Sequence, residues 1–417
     1  MLDKSTQLQA GSYDVESIRA DFPILSRHVY EDTPLVYLDN GASAQKPYVV
    51  VDAVKAAYES EYANVHRGLH FLSNLATENY EAARETVRQF VNAASVEEII
   101  FTKNATEALN LVSQSFAGEI LSEGDEIVLS IMEHHSNIVP WHFHRERSGV
   151  VLKWAPVSEE GVFDVEAFES LLTPKTKIVA ITHMSNVLGT IMPIKEIVSL
   201  AHDRDIAVVV DGSQGAVHLP VDVQDLGADF YVFTGHKLYG PSGIGVLYGR
   251  KEHLKKMPPY QGGGEMISEV FTDRITYGEP PEKFEAGTPP IVQAIGLAAA
   301  IDYVESVGRD AIYVHERELA LYAQERLSEL SYIRLLGNAP EKGAIFSFVM
   351  EGAHAHDVST IIDRFGIAVR AGTHCAEPLL AHFGVTSTCR ASFGLYNTKS
   401  EVDALVVALT KAKEFFA

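Results

Sequence analysis

Short apolar runs alternate with stretches of helical periodicity between about residues 95 and 250. Five β-rich runs predict strands at 97–102, 125–130, 177–183, 206–212 and 229–235. After the first run, apolar residues at helical spacing predict one buried stripe: Ala105, Leu109, Val112 and Phe116. This alternation is typical of βαβ units, so we expect an α/β fold with a mainly parallel sheet.

The pattern changes after residue 250, where a loop-rich segment contains PPYQGGGEM and EAGTPP. A long helical region is predicted from about 291 to 330, and a smaller α+β unit follows it. That unit has predicted strands near 343–350 and 366–371 and a closing helix with Val402, Leu405, Leu409, Ala412 and Phe416 on one face. We therefore expect an N-terminal segment (1–35) that packs with the small domain, a large domain (36–300) and a small C-terminal domain (301–417).

Composition narrows the choice of partners and compartment. The 417 residues carry a formal net charge of −22, so the surface repels nucleic acid and anionic membranes. The amino terminus has no signal-peptide pattern and no apolar run is long enough to span a bilayer. These absences predict a cytoplasmic location. In that reducing compartment the two cysteines, which do not form a metal-type CxxC pair, are expected to be free thiols with no metal site, although their proximity in sequence permits a disulfide.

Polar residues at the ends of two predicted strands suggest a ligand site. Ligands of open α/β sheets bind at the carboxyl ends of strands, and Lys237 stands there, although its position alone favours an ordinary solvated lysine at the start of a loop. Asp211 ends the most apolar strand and needs either a cation or the turn that follows it as a partner. A pyridoxal ring would satisfy both residues, with its aldehyde on Lys237, its protonated nitrogen on Asp211 and its phenolic oxygen on Gln214.

Other residues would complete such a cofactor site. FTKNATEALNLV predicts a strand, a turn and a helix whose first amides, at Ala105 and Thr106, can bind a phosphate, although an ordinary N-cap also explains Thr106. Thr234 and His236, beside the lysine, could add a hydroxyl and an imidazole. His134 is placed to stack on a planar ring, with His135 as its rival and a structural histidine as the alternative for both.

Taken together, these motifs resemble those of the Suf-type (class II) cysteine desulfurase and selenocysteine lyase family. In family order they are KNATEALNLV, MEHHSNIVPW, THMSNVLGT, VVVDGSQ, FTGHKLYGPSGIGVLY, KFEAGTPP and VRAGTHCAEPL with TCRASFGLYNT. The similarity runs from about residue 21 to the carboxyl terminus. It implies the fold-type-I, aspartate-aminotransferase-like architecture of pyridoxal phosphate (PLP) dependent transferases, working as a homodimer.

The resemblance also implies a role for each matching residue. The catalytic set is Lys237 as the Schiff-base lysine, His134 as the stacking base and Cys375 as the sulfur-accepting nucleophile. The cofactor set adds Asp211, Gln214, Ala105, Thr106, Thr234 and His236, with Thr288 reaching the phosphate of the neighbouring subunit. The substrate set is Asn186 and Arg390 on the carboxylate, Arg370 near the nucleophile, and His66 and Arg67 at the entrance.

The nucleophile loop departs from the family in one position that matters. Thr373 stands where the common RxGHHC motif has a histidine, so no proton-transfer role is assigned there. Ala105 lacks a hydroxyl that many relatives have, and DGSQG replaces DGAQA with small residues. A cysteine is only partly thiolate at neutral pH, so His374 and Arg370 are candidates to favour the thiolate of Cys375.

Simpler explanations exist for several of these residues. The simpler explanation for Cys375 is a small, buried apolar residue, but the neighbouring Gly372 and Pro378 favour a surface loop. The sequence around Cys389 is typical of a strand in the small domain. The simpler explanation for Arg390 is an ordinary surface arginine. If its guanidinium instead binds the substrate carboxylate through two N–H groups, the substitution Arg390→Lys should impair binding.

The implied reaction converts L-cysteine to L-alanine, leaving a persulfide on Cys375 for a small sulfur-acceptor protein of the Suf system in iron–sulfur cluster assembly. Selenocysteine lyase activity is an open possibility as a side reaction. Separately, the segment YQGGGEM is expected to form a hairpin across the dimer interface. The rivals are another fold-type-I PLP enzyme such as an aminotransferase, which has no use for Cys375, and a scaffold or thiol- or metal-binding protein using His374, Cys375 and Cys389.

Overall fold

The computed structural model describes residues 13–416. The start of the predicted N-terminal segment, residues 1–12, lies outside the described residues, and so does that part of the signal-peptide prediction. The strands are β1 His28–Val29, β2 Thr33–Pro34, β3 Val36–Tyr37, β4 Ile99–Thr102, β5 Glu126–Ser130, β6 Val151–Ala155, β7 Thr176–Thr182, β8 Ala207–Asp211, β9 Phe230–Thr234, β10 Gly245–Gly249, β11 Ile267–Val270, β12 Ile275–Tyr277, β13 Ile333–Leu336, β14 Ile345–Met350, β15 Ile367–Ala368, β16 Arg370–Gly372 and β17 Thr388–Ser392.

Helices cover both faces of the larger sheet and pack on the smaller one. The α-helices are α1 Val15–Ala20, α2 Tyr48–Ala56, α3 Phe71–Phe90, α4 Ala105–Leu111, α5 Gly118–Ile120, α6 Val139–Ser148, α7 Val165–Leu171, α8 Ile194–His202, α9 Gly215–His218, α10 Val223–Leu226, α11 Lys251–Lys256, α12 Ile291–Val307, α13 Arg309–Ser328, α14 Ala355–Asp363, α15 Glu377–His382 and α16 Lys399–Phe415. A π-helical stretch, Val112–Ala117, joins α4 to α5. The predicted stripe along this segment is buried throughout.

The large domain is built on a seven-stranded sheet in the order β4-β10-β9-β8-β7-β5-β6. In the described chain, β10 runs antiparallel to β9 and β4, and the remaining neighbours are parallel. The five predicted strands are present, although the first begins at Ile99 because Val96–Glu98 forms a 3₁₀ turn. The mainly parallel sheet of the predicted α/β fold is therefore confirmed.

The small domain is an antiparallel sheet in the order β13-β14-β17-β16, packed by α13, α14 and α16. Its apolar core is separate from the two apolar layers that flank the large sheet. The predicted helical region is two helices, α12 and α13, because Gly308 has φ +94° and the chain bends there by 75°. No individual helix within residues 13–416 has both the length and the apolarity to cross a bilayer, although α12 and α13 reach that threshold jointly.

The strand directions bring the predicted site residues to one edge. The carboxyl ends of β4, β5, β7, β8 and β9 meet there because these strands run the same way. Gly245, the first residue of β10, pairs with both Thr102 and Thr234. A Cβ atom at Gly245 would lie 2.4 Å from the carbonyl carbon of Asn104, so glycine is required for the turn before α4 to close onto the sheet.

Candidate active site

A cavity of about 340 Å³ opens at this carboxyl edge of the large sheet. The predicted residues that line it are Ala105, Thr106, His134, Asn186, Asp211, Gln214, Thr234, His236, Lys237, Arg370, Cys375 and Arg390. They come from the ends of five strands and from two segments of the small domain, β16 with its following loop and β17. The structure therefore gathers into one cavity most of the residues that the sequence motifs single out.

An amine and a buried acid face this cavity together. Asp211 is the last residue of β8 and is 4% exposed, and its Oδ1 accepts a hydrogen bond from the amide of Ser213 at 2.9 Å. Lys237 follows β9 by three residues. Burial lowers the pKa of Lys237 to about 8, against the opposing influence of the Asp211 carboxylate. This amine is therefore more often neutral, and so nucleophilic, than an ordinary lysine at neutral pH.

Two imidazoles beside the amine are neutral at physiological pH. Burial, and then the charge of Lys237, lower the pKa of His134 to about 4 and that of His236 to about 4. The Nδ1 atom of His134 accepts a hydrogen bond from the amide of Ser136 at 3.1 Å, which places the ring proton of the neutral form on Nε2. His134 thus offers the cavity a flat, uncharged ring.

The start of α4 forms another wall of the cavity. Asn104, and not Thr106, is the N-cap, because its side chain accepts from the amide of Glu107 at 2.9 Å. The amides of Ala105 and Thr106 precede the first intrahelical bonds, so they are donors for a ligand at the helix start. The hydroxyl of Thr106 lies 2.7 Å from that of Ser136, a residue that sequence reasoning missed.

Arg390 is deeply buried, which rules out the surface-arginine alternative. It is 2% exposed, and its Nη1 donates to the carbonyl of Asn186 at 2.9 Å. Its Nε is buried without a partner among the described residues. Burial lowers the pKa of Arg390 to about 10, so it stays charged at neutral pH. A charged guanidinium in a cavity wall with an unpaired donor is suited to bind an anionic group.

Asp39 is a functional candidate that the sequence reasoning missed. It accepts from Arg370 at 3.2 and 3.0 Å, through Oδ1 and Oδ2 respectively, and lies 3.4 Å from Nη2 of Arg390. The carboxylate therefore orients both arginines that line the cavity. The sequence did contain a sign of a strand-end carboxylate, because Asp39 follows the apolar run LVYL. Its role could not be predicted because its two arginine partners are more than 300 positions away in sequence.

Cys375 lies on a short loop between β16 and α15 and is exposed, so the buried-hydrophobe alternative is wrong. Cys375 has φ 54° and the residue before it φ 53°, both in the left-handed region. The carbonyl of Cys375 accepts from the amide of His135 at 2.8 Å, and Asn186 donates to the preceding carbonyl at 2.8 Å. These bonds fasten the loop to the cavity wall, while Cys389 is 1% exposed in β17, as predicted.

His374 does not supply the positive charge that was expected beside Cys375. Its ring is 7% exposed, with Nε2 2.8 Å from the hydroxyl of Thr388. Burial, and then the charge of Arg390, lower the pKa of His374 to about 3, so the ring is neutral. A cationic role for His374 is therefore contradicted by its burial, and Arg370 remains the candidate cation for Cys375.

Three predicted residues do not line this cavity within the single chain. His66 pairs with Glu81 at 3.0 Å, and Arg67 pairs with Glu265 at 3.1 Å. Thr288 is exposed and lines a separate shallow pocket. The predicted hairpin also lies elsewhere: it is β11–β12, which begins after YQGGGEM and not within it.

Comparison with known proteins identifies the family of this chain. The sequence matches the aminotransferase class-V family over residues 36–405. A probable cysteine desulfurase from Halalkalibacterium halodurans is 52% identical over 404 residues, covering 97% of this chain and 99% of that protein. A cysteine desulfurase from Pectobacterium atrosepticum is 48% identical over 401 residues, covering 96% and 98%. The crystal structure of the cysteine desulfurase CsdA from Escherichia coli superposes with a TM-score of 0.90 at 41% identity, covering 97% of this chain and 100% of that one.

The chain therefore belongs to the aminotransferase class-V family, as one of its PLP-dependent cysteine desulfurases. The fold-type-I prediction is confirmed with it. The residues of the cavity also fit this cofactor independently of the comparisons. A buried carboxylate, a neutral imidazole ring, the amides at a helix start and an amine of lowered pKa all line it. Two further cavity-lining atoms, Arg390 Nε and His374 Nδ1, are buried without partners in the described part of the chain, which indicates a polar ligand.

Proposed function

We propose that this cysteine desulfurase converts L-cysteine to L-alanine and takes the sulfur onto Cys375 as a persulfide. The observation that carries the proposal is an exposed thiol on a fastened loop, lining the same cavity as Lys237 and Asp211. An aminotransferase of the same fold would have no use for this thiol. Among residues 13–416, no group of three or more His, Cys, Asp or Glu side chains is arranged to hold a metal ion.

Each part of PLP has a candidate partner in the cavity. Lys237 would carry its aldehyde carbon, Asp211 would pair with the ring nitrogen, Gln214 would donate to the phenolic oxygen, and His134 would cover the ring. The phosphate would bind the backbone amides of Ala105 and Thr106 and the side chains of Thr106, Thr234 and His236, joined by Thr288 of a second copy. When bound, the cofactor supplies an electron sink for the pair released at the substrate's Cα.

The chain's own residues position the substrate and move its protons. Arg390 and Asn186 would hold the substrate carboxylate, with the unpaired Nε of Arg390 as a donor. The pKa of Lys237, about 8, suits an amine that takes a proton from Cα and returns it near neutral pH. His66 and Arg67 would act at the entrance, from loops outside the cavity wall.

Sulfur transfer requires the thiolate of Cys375 to attack the sulfur of the substrate. A bond forms between the two sulfurs and the substrate's carbon–sulfur bond breaks. The electron pair of the broken bond stays with the carbon skeleton, which takes up a proton and leaves as alanine. Arg370 would favour the thiolate, and Asp39 holds Arg370 in place through two hydrogen bonds.

The fastened loop bears on the fate of the persulfide. Because the backbone around Cys375 is bonded to His135 and Asn186, the sulfur cannot travel far on this chain, and an acceptor must approach the cavity. On the resemblance of its motifs, we propose that the chain is of the Suf type, a cytoplasmic homodimer that passes sulfur to a small acceptor protein for iron–sulfur cluster assembly. Selenocysteine lyase activity is proposed as a side reaction, because selenium leaves carbon more readily than sulfur does.

The test is the mass and product analysis of the holoenzyme after incubation with L-cysteine. We expect a gain of one sulfur atom, mapped to Cys375, together with released alanine. Cys375→Ala should lose the adduct and at least about a hundredfold in alanine release while retaining the cofactor. Cys389→Ala, the matched control, should keep both. Undiminished alanine release from L-cysteine by Cys375→Ala would overturn the assignment of the nucleophile.

A further inference from the structure

The turn between β5 and α6, residues 134–137, serves several parts of the cavity around Lys237, which we call the Lys237 cavity. The ring of His134 lines this cavity. The amide of His135 donates to the carbonyl of Cys375 at 2.8 Å, and the next residue bonds the start of α4 through its hydroxyl. A displacement of the turn would therefore move the neutral ring and disturb the nucleophile loop together.

Two buried side chains close this turn at its ends. Glu133 and Asn137 are both 0% exposed, and Nδ2 of Asn137 donates to Oε2 of Glu133 at 2.7 Å. The other carboxyl oxygen, Oε1, accepts from the amide of Thr182 at 3.0 Å and lies 2.5 Å from the hydroxyl oxygen of Ser130. Thr182 is the last residue of β7 and lies opposite Asp211 in β8. The turn is thus fastened to the strand next to the buried acid of the cavity.

The groups around Glu133 fix the direction of these hydrogen bonds. The indole Nε1–H of Trp141 is a donor only, and it donates to Oδ1 of Asn137 at 3.2 Å. The amide nitrogen of Asn137 must therefore face Glu133. The backbone amide of Thr182, on the other side, is also a donor. A glutamine at position 133 would leave one buried N–H group without an acceptor in either orientation of its amide, whereas a carboxyl group has two oxygens to offer.

The protonation of Glu133 agrees with this arrangement. Burial raises the pKa of Glu133 to about 8 against the opposing effect of its hydrogen bonds, and the charge of Asp211 adds to the rise. The carboxyl is therefore mostly protonated at neutral pH, and the hydroxyl oxygen of Ser130 is in place to accept its proton. Both carboxyl oxygens then keep a lone pair for the two N–H donors. A fully buried acid with so perturbed a pKa beside a cavity is typical of a functional position.

We propose that Glu133 is a positioning residue for the reaction, which with Asn137 holds the 134–137 turn on β7 and so sets the ring of His134 against the cofactor. The role of Glu133 rests on the proposed function, in which His134 covers the PLP ring. Glu133 does not itself line the Lys237 cavity, so it acts through the turn and not by contact with the substrate.

The pattern of donors and acceptors can be rebuilt by exchanging the acid and the amide. In the double substitution Glu133→Gln with Asn137→Asp, the new carboxylate accepts from Trp141 and from the new carboxamide, whose oxygen accepts from Thr182. The double variant therefore keeps every hydrogen bond of the network, whereas Glu133→Gln alone loses one.

The experiment compares the visible circular dichroism of the holoenzyme and the rate at which it loses PLP on dialysis. PLP is achiral, so its dichroism reports how the site holds the ring. Glu133→Gln should reduce the dichroism and speed the loss of PLP by roughly tenfold, because one buried N–H group loses its acceptor. The double variant should recover the wild-type value of both, and it is expected to fold even where Glu133→Gln alone does not.

Glu401→Gln is the matched control, because Glu401 is a 5% exposed acid of the small domain that accepts from Nδ2 of Asn397 at 2.8 Å, outside the Lys237 cavity. It should lower the urea midpoint of unfolding and leave both cofactor readouts unchanged. Wild-type readouts in Glu133→Gln, or a folded double variant that does not recover them, would overturn the proposal.

His134→Ala, measured alongside, separates this inference from the proposed function. We expect it to lose the dichroism and to release PLP faster than the wild type. A loss in His134→Ala without a loss in Glu133→Gln would reject the role of Glu133 alone. Wild-type readouts in both variants would reject the covering of the ring by His134, and the role of Glu133 with it.

Discussion

At the scale of single residues, burial decides the charge of the groups around the cavity. Arg390 stays charged despite burial, because its pKa falls from a very high value to about 10. His374 and His134 become neutral, because their pKa values start near neutrality and fall to about 3 and about 4. The Lys237 cavity therefore contains a fixed cation next to uncharged rings, which suits a carboxylate substrate and a flat cofactor.

The first prediction concerns the geometry of Arg390. Its guanidinium donates to Asn186 through Nη1 and keeps Nε for a ligand, a fork that a lysine ammonium cannot reproduce. We expect Arg390→Lys to raise KM for L-cysteine by roughly tenfold to a hundredfold, the equivalent of about 1.5–3 kcal/mol, with a smaller change in kcat. Steady-state kinetics of alanine release measures both, and an unchanged KM would remove Arg390 from the carboxylate role.

The second prediction concerns His183, which is buried beside Tyr231 with a ring nitrogen 2.9 Å from the phenolic oxygen. Burial lowers the pKa of His183 to about 4, below its unfolded value of about 6.5. The unfolded chain therefore binds a proton that the folded chain does not between these two pH values. The contribution of His183 to stability is complete above pH ~6.5 and is lost as the pH falls towards ~4, in total about 3 kcal/mol.

Urea unfolding midpoints measured across this pH range test the second prediction. Stability of His183→Gln should decline less steeply with falling pH than that of the wild type. The control is His28→Gln, which changes an exposed histidine in β1 and should leave the slope as it was. Parallel slopes for the wild type and His183→Gln would contradict the assigned cause.

At the scale of elements, the sequence predicted the buried strands well and the exposed ones poorly. Continuous apolar runs form β5, β7, β8 and β9 because both faces of the sheet are covered. Such runs can be predicted as strands without knowledge of the strands they pair with. β6 was missed because it lies at the sheet edge, with a mixed and partly exposed pattern. The β11–β12 hairpin was displaced in the prediction because its strands are exposed and lack a buried face to mark them.

The site was predictable to the same extent as its strands. Residues at strand ends, such as Asp211 and Lys237, are visible from local pattern alone, and family resemblance supplied their expected roles. Asp39 and Ser136 were missed because their significance lies in contacts with residues distant in the chain. The neutral state of His374 was equally invisible, since it depends on burial against Thr388 and on the charge of Arg390.

The third prediction concerns the start of the closing helix, α16. Thr398 and Glu401 form a capping box, in which each side chain accepts from the backbone of the other residue. Thr398→Ala should lower the free energy of unfolding by about 1 kcal/mol, measured by urea denaturation. Thr410→Ala, an exposed threonine within the same helix, is the control and should change it by less than about 0.5 kcal/mol. Equal losses for the two variants would contradict the role of the cap.

At the scale of the whole molecule, one face of the large domain is unusually apolar for an isolated chain. Leu69 is 100% exposed and Phe71 is 77% exposed, while Val270 and Phe271 of the β11–β12 hairpin are 57% and 45% exposed. The ion pair of Arg67 and Glu265 joins these two regions. We call the two regions together the apolar face. Large exposed apolar patches mark association surfaces, and the proposed homodimer would cover this one.

The fourth prediction follows from that face. The double substitution Leu69→Asp with Phe71→Asp should convert the proposed dimer to a monomer in sedimentation velocity, because burying two carboxylates at an interface is costly. Val407→Asp, at an exposed valine of α16 in the small domain, should leave the dimer intact.

The proposed role of Thr288 adds a second readout, since a monomer would lack the partner's contact to the phosphate. The double variant should therefore retain less PLP after dialysis than the control. A monomer with full cofactor retention would reject Thr288 as a ligand while upholding the interface, whereas an undisturbed dimer would reject the apolar face itself.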